Sequence, residues 1–276
     1  MSSPIASPRA SNLRTGRASR MLEVYVWVFL FLIALPILLV SVISFSPTPF
    51  LSFPMQDFSL RWYGRVFEYE PFLQSLWTSV ELATASTLVA SIVAVPCALA
   101  LARSQAGAAE WVTVFLLSPI SIPGIVLGFA LLYYLSNLSV GPGFLALFLA
   151  HTVIAIPYIS RTVLSVYRTV PRSIEESAVI LGASRTETIF LITLPQIRYA
   201  IYSGTLFAFL ISLDNLPISF FFSTAQTNVL PVVMMSYLQN QYDPSIAAIA
   251  TIQMLFAVIA LVLGEKLLGI GALKSI

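Results

Sequence analysis

The sequence predicts an all-α integral membrane protein with six transmembrane helices, and three observations predict it. Hydrophobic residues make up 58% of the chain and charged ones 9%, with a mean hydropathy of +0.91; soluble domains are about a quarter charged. Six mainly apolar stretches, approximately 24–45, 82–102, 111–136, 144–166, 199–222 and 244–264, reach or approach the ~20 residues needed to cross a hydrocarbon core of ~30 Å. The basic residues then fall on one side. With both termini cytoplasmic, Arg9, Arg14, Arg17, Arg20, Arg103, Arg161, Arg168, Arg172, Arg185, Arg198, Lys266 and Lys274 face inward and only Arg61 and Arg65 face outward, as the positive-inside rule requires.

Residues 1–21 are rich in Ser and Arg and are expected to be a disordered cytoplasmic tail ahead of a membrane domain spanning 22–276. The first stretch follows a run of arginines, as a secretory signal does. It is too long for one, and Phe45-Ser46-Pro47-Thr48-Pro49 offers no small-residue cleavage site, so a retained helix is expected. The fourth stretch runs past Arg161, whose side chain can reach the headgroups from a helix end. Trp62, Tyr63, Trp77 and Tyr242 lie near the outer interface and are expected to anchor there. Pro36, Pro96, Pro119, Pro123, Pro157 and Pro217 each remove a backbone donor and free a carbonyl one turn back, which predicts kinked helices packed on one another. The single cysteine, Cys97, sits in an apolar stretch, so packing is its expected role.

One inward-facing connection is long, residues 167–198. Ser173-Ile174-Glu175-Glu176 has the pattern of a capping box, in which the Ser173 hydroxyl takes the Glu176 amide and the Glu176 carboxylate reaches back. Gly182 is suited to the left-handed turn that ends such a helix. Ser184-Arg185-Thr186-Glu187 repeats the box and starts a second helix, which Pro195 is expected to terminate or kink. Ile174, Ala178 and Leu181 form one apolar stripe while Val179 and Ile180 lie on its flanks. A helix on a membrane surface needs one buried face; apolar residues on several faces predict burial in a partner.

Glu176-Ser177-Ala178, three residues, Gly182, nine residues, then Ile192-Thr193-Leu194-Pro195 resembles the EAA loop of bacterial ABC importer permeases. Ser177 in place of alanine is the one departure. The likeness extends through Leu60-Arg61-Trp62-Tyr63, Ala100-Leu101-Ala102-Arg103, Pro123-Gly124-Ile125-Val126-Leu127-Gly128, Ser212-Leu213-Asp214-Asn215 and Phe220-Phe221-Phe222, which resemble the spermidine/putrescine branch. Taken alone, two capped helices would be an ordinary hairpin; the full spacing on an inward loop favours the functional reading. The resemblance implies the type I permease architecture, with Glu176, Ser177, Ala178, Gly182, Ile192, Leu194 and Pro195 coupling this chain to an ATP-binding subunit dimer. It further implies a second, different permease subunit, a solute-binding protein outside, and ATP and Mg held by the partner. This chain would be no enzyme, with no catalytic residue, no metal, no cofactor of its own and no nucleic acid partner. Its solute would be a polyamine or related amine.

The sequence has no Gly-x-x-x-x-Gly-Lys-Ser/Thr phosphate loop, so ATP hydrolysis falls to another polypeptide. Asp214 is the one acid within an expected span, ~22 Å along its helix from Tyr199 at ~1.5 Å per residue. Two readings stay open: Asp214 or Asn215 caps a break made by Pro217, or Asp214 and Asn215 lie on the translocation pathway, with Asp214 attracting a cation. His151 is read as a neutral, hydrogen-bonded imidazole, and Tyr133, Tyr134, Tyr158 and Phe220–Phe222 as packing. The alternative to an importer permease is a self-contained ion-coupled secondary transporter. That class expects several intramembrane ionisable groups and paired repeats of broken helices; the chain has one acid, one histidine and no evident repeat. A membrane enzyme would need a cluster of His, Asp or Glu, which the sequence does not offer.

Overall fold

The computed structural model describes residues 15–49, 57–241 and 243–268, and all regular structure among them is helical. In chain order the helices are α1 (Thr15–Ile43), α2 (Arg61–Glu68), α3 (Glu70–Arg103), α4 (Ala108–Leu117), α5 (Gly124–Asn137), α6 (Phe144–Tyr167), α7 (Arg172–Ile180), α8 (Arg185–Glu187), α9 (Leu194–Leu213), α10 (Leu216–Phe222), α11 (Leu230–Asn240) and α12 (Ser245–Leu268). The tail expected to be disordered falls outside the described residues up to position 14; from Thr15 to Met21 it is the first turns of α1 instead. Helix propagation from the apolar stretch explains the difference, since each added residue contributes a hydrogen bond at no further nucleation cost.

Among the described residues four helices are long and apolar enough to cross a membrane, Arg20–Ile43, Glu70–Arg103, Phe144–Tyr167 and Ser245–Gly264. Two bent pairs bring the number to six when each counts as one span. The stretch expected as a single helix over 111–136 is one of these: Ala108–Ser121 meets Gly124–Asn137 at 109°. Pro123 forces the break. Its ring excludes Ile122 from the helical region, and Ile122 is extended at φ −88°, ψ 131°. The other pair is Arg185–Leu213 and Leu216–Phe222, bent by 57°. α3 begins twelve residues before the expected span, so its first turns and α2 lie in the connection between the first two expected stretches.

The described residues form two compact units, one up to Tyr63 together with Asp243–Thr251, the other from Gly64 to Gln241 together with Ile252 onward. In the first unit Trp62 is 2% exposed and its indole N–H donates to the Ser46 carbonyl at 2.7 Å. Tyr63 shares a 2.7 Å hydrogen bond with Ser44 Oγ and packs its ring on Phe45. Trp62 is therefore a core residue of this unit and not the interfacial anchor expected; a satisfied N–H removes the reason for a tryptophan to stay at the interface. Trp77 is exposed, and Tyr242 lies outside the described residues.

In the second unit α3, α6 and α9 pack through small residues. Ala90, Ala94 and Ala98 recur at four-residue spacing on α3 and meet Ala155, Ile159 and Val163 of α6 with Ile197 and Ala208 of α9. Four-residue spacing keeps them on one face, and small side chains let backbones approach in lipid. The approach is closest at Gly204 of α9, where a Cβ would stand 3.2 Å from Ile159 Cα and from Thr162 Cβ. Hydroxyls cross the same seam, Ser91 Oγ to Thr205 Oγ1 at 2.9 Å. A second cluster gathers Leu82 of α3, Leu135 of α5, Leu147 and Ala150 of α6 and Ile218 and Phe222 of α10, tying both bent pairs to the central three helices.

Gly204→Leu is expected to separate α6 from α9 and lower stability by about 1–3 kcal/mol, the usual cost of overpacking. Ser203→Leu, one residue away and facing outward, leaves it nearly unchanged. Unfolding midpoints of the two variants in detergent check this, and equal midpoints contradict it.

Candidate functional site

The 167–198 segment starts where α6 ends at Tyr167. Pro171 caps α7 with φ −60° and ψ 130°, so the helix opens at Arg172 and Ser173 becomes its second residue. The capping box expected from Ser173 and Glu176 is not formed, because a hydroxyl already inside the helix is past the free amides it would serve. The Ser173 carbonyl instead accepts from Ser177 Oγ at 2.7 Å. At the other end the expected left-handed turn is present: Gly182 has φ +95°, its N–H donates to the Val179 carbonyl, and the Ala183 N–H donates to the Ala178 carbonyl, both at 3.0 Å. This is a Schellman motif, which favours glycine at its left-handed position.

The second capping box forms as its residues predict. Glu187 N–H donates to Ser184 Oγ at 3.3 Å and Ser184 N–H to Glu187 Oε2 at 2.8 Å. The helix it starts does not end at Pro195. After α8 the chain widens into a π-helical stretch, Thr188–Thr193, and continues as α9 with Pro195 in its first turn. A proline lacks the amide for an i−4 bond and its ring presses on that carbonyl; the wider turns ahead of it accommodate both effects, so the chain passes without a break.

Glu175, which the sequence did not single out, holds α7 to the bundle. Its Oε1 accepts from the Tyr167 hydroxyl at 2.6 Å and from Thr193 Oγ1 at 3.0 Å, and its Oε2 pairs with Arg103 Nε at 3.2 Å. Arg103 is itself fixed, donating from Nη2 to the Val170 carbonyl at 3.1 Å and lying 4.2 Å from the centre of the Tyr167 ring. Arg172 Nη2 donates to the Arg103 carbonyl at 3.3 Å. Partial burial pushes the Glu175 carboxyl upward, but the hydrogen bonds from Tyr167 and Thr193 together with the ion pair to Arg103 outweigh it and hold the group below its ordinary value.

Of the residues expected to couple, Ala178 alone on α7 is buried, at 7% exposure. Glu176 and Ser177 are exposed, Ile192 and Leu194 half-buried, and Pro195 exposed. The apolar residues beside them face outward: Ile174, Val179, Ile180 at 84% and Leu181 at 88%. The segment thus has an inner face anchored by Glu175 and Ala178 and an outer face of Glu176 with uncovered aliphatic side chains.

The second candidate lies at the break between α9 and α10. Asn215 is the N-cap of α10, its Oδ1 accepting from the Ile218 N–H at 3.1 Å. Asp214 ends α9 and is exposed. His151 is 1% exposed and spans the break, with Nδ1 2.7 Å from Ser212 Oγ on α9 and Nε2 3.0 Å from Ser219 Oγ on α10. Ser212 Oγ in turn lies 3.3 Å from Ser86 Oγ of α3. The two site groups lie apart in the fold: one is at the Arg103 end of α3, the other meets α3 near its middle, at Ser86.

Residues 92–269 match the family described as the binding-protein-dependent transport system inner membrane component. The chain belongs to that family. It is the permease subunit of a binding-protein-dependent ABC importer, in the inner membrane. The permease is 30% identical over 249 residues to the putrescine transport system permease protein PotI of Escherichia coli K12, covering 88% of each chain. It is 29% identical over 249 residues to the spermidine/putrescine transport system permease protein PotC of Haemophilus influenzae, covering 90% of this chain and 95% of that one. In fold it resembles a chain of a bacterial alginate ABC transporter crystallised with an alginate pentasaccharide-bound periplasmic protein, at a TM-score of 0.68 and 17% identity, covering 92% and 94% of the two chains. The ion-coupled alternative finds no support among these relatives.

Glu175 does not stand out in the permease sequence because the EAA spacing points to Glu176, and because Arg103, 72 positions earlier, carries no sign there of a partner on α7. A signal was present. Neighbouring helical residues point about 100° apart, so two adjacent glutamates cannot both face a docking partner squarely.

The depressed carboxyl fixes the sign of a pH effect. Glu175 contributes stability that is complete above its unfolded value, near 4.5, and is lost as the pH falls through its lower folded value. Hydrogen-exchange protection of α7 in the purified permease is expected to drop on acidification below that range. In Glu175→Gln the protection starts lower and this pH-dependent part vanishes; an unchanged acid response in the variant contradicts it.

Proposed function

We propose that this permease forms half of the translocation pathway of an ATP-driven importer and couples to a separate ATP-binding subunit dimer through residues 173–195, with α7 as the docking helix. The observation that carries this reading is the outer face of α7: Glu176 stands beside Val179, Ile180 and Leu181, all exposed, at the motif spacing that marks the permease loop. A nine-residue helix with that much uncovered aliphatic surface suits a groove in a partner. The dimer supplies ATP and Mg chemistry; Glu176, Ser177, Ala178, Gly182, Ile192, Leu194 and Pro195 serve coupling in this chain. Both termini face the cytoplasm, in keeping with the distribution of arginine and lysine. A second, different permease subunit completes the pore, and a soluble binding protein delivers solute from outside.

The solute is a polyamine or related amine. The names of the two permease relatives support this class, and Asp214 is the exposed carboxylate at the break of the fifth span. Asn215 is occupied as a helix cap, which leaves the attraction of a cation to Asp214 alone.

Glu176→Lys is expected to lose the co-purifying ATPase, and Gly182→Pro to reduce uptake at least tenfold, with both inserting in the membrane at the wild-type level. Proline cannot adopt φ +95° and lacks the amide that Gly182 donates. Wild-type uptake in either variant would falsify the docking role. Asp214→Asn, reconstituted with its partners, is expected to slow putrescine uptake about tenfold while ATPase assembly is preserved; unchanged transport of putrescine and spermidine removes Asp214 from the pathway.

A further inference from the structure

Two neighbouring glutamates of α7 look in different directions. Glu176 is exposed on the outer face, whereas Glu175 is turned inward and its side chain is 19% exposed. The three groups that hold Glu175 come from three separate helical elements: Arg103 from the end of α3, Tyr167 from the end of α6, and Thr193 from the π-helical foot of α9. Those are the helices that share the alanine-rich seam. We propose that Glu175 is the positioning residue through which a displacement of α7 is passed to the membrane spans, while Glu176 serves docking. This rests on the reading of α7 as the docking helix.

The physical case begins with what α7 would be without the contact. A helix of nine residues is marginal by itself, and Ala178 is its one buried residue. Its covalent links are a turn at residues 168–171 on one side and the Gly182–Ser184 turn on the other. Turns of that kind let a helix pivot while the spans stay where they are. A carboxylate bound at both oxygens by three elements removes that freedom. Charge-assisted hydrogen bonds are the stronger class, and partial burial spares the Arg103–Glu175 pair some of the screening that weakens exposed pairs. Arg103 cannot swing away with Glu175, because the Val170 carbonyl and the Tyr167 ring already fix its guanidinium. A push on the outer face of α7 therefore reaches α3, α6 and α9 together, as a rigid-body shift of a packed group does.

The test uses the full importer in proteoliposomes, with putrescine as the transported probe and ATP supplied to the ATPase side. Glu175→Gln keeps an oxygen for Tyr167 and Thr193 but removes the charge that faces Arg103. Its expected result is ATPase subunits co-purifying as in wild type, with putrescine moved per ATP hydrolysed reduced at least tenfold. Tyr167→Phe removes one attachment of three and is expected to lower the same ratio by a smaller factor, and Arg103→Lys, which keeps the charge, to lower it less than Arg103→Met. A second measurement needs no transported solute. In a Cys97→Ser background, spin labels at Ser173 on α7 and Ser165 on α6, both exposed, are expected to give one narrow distance distribution with and without ATP, and a broad one when Glu175→Gln is added. An unbroadened distribution in Glu175→Gln, or a wild-type ratio of putrescine to ATP, overturns the proposal. So does loss of the ATPase from Glu175→Gln, which would make Glu175 a docking contact. If instead Glu176→Lys retains its ATPase, the docking reading fails, and the label pair still decides whether Glu175 fastens α7 to the spans.

Discussion

Helices in lipid gain nothing by hiding leucine from water, so the contact of α3, α6 and α9 depends on how closely their backbones approach. Ala90, Ala94 and Ala98 on one helix and Gly204 on another set that distance. Everything else in the larger unit is arranged around the resulting seam. The hydroxyls of Ser91 and Thr205 can bond across it only because no larger side chain stands between them. The ends of the same three helices supply Arg103, Tyr167 and the approach to Thr193, so a tight seam also fixes the socket for Glu175.

The broken spans follow from a second constraint, that every backbone polar group at membrane depth must find a partner inside the protein. Prolines 123 and 217 open the third and fifth spans, and the chain repairs the fifth with side chains. Asn215 takes the amide of Ile218, and His151 holds a serine on each side of the break. His151 thus has a structural use that accounts for both ring nitrogens. Asp214 remains exposed at the same break.

The 167–198 segment shows how a local motif and a tertiary contact divide a task. Its turn is local: Gly182 and Ala183 close α7 with bonds to residues three and five positions back respectively. Its orientation is not. Glu175 reaches Arg103, 72 positions earlier in the chain, and Thr193, eighteen later. The two faces of α7 differ accordingly: the inner one is held to the ends of α3, α6 and the foot of α9, while the outer one, with Glu176, Val179 and Ile180, is exposed.

Composition and apolar length determined by themselves that the chain is helical and lies in a membrane, with four to six candidate spans among the described residues, because lipid restricts a spanning chain to few forms. The EAA spacing determined the family, and turn chemistry determined the Schellman turn at Gly182 and the capping box at Ser184, because such bonds join residues within one or two turns. The tertiary structure decided what depends on distant partners. Pro171 moved the start of α7 and dissolved the expected box at Ser173; Pro123 divided a span that reads as continuous; Pro195 was carried through by π-helical turns instead of ending a helix. Trp62 was buried by a carbonyl sixteen residues away, and Glu175 was turned inward by an arginine whose charge, in the sequence, marked only a side of the membrane.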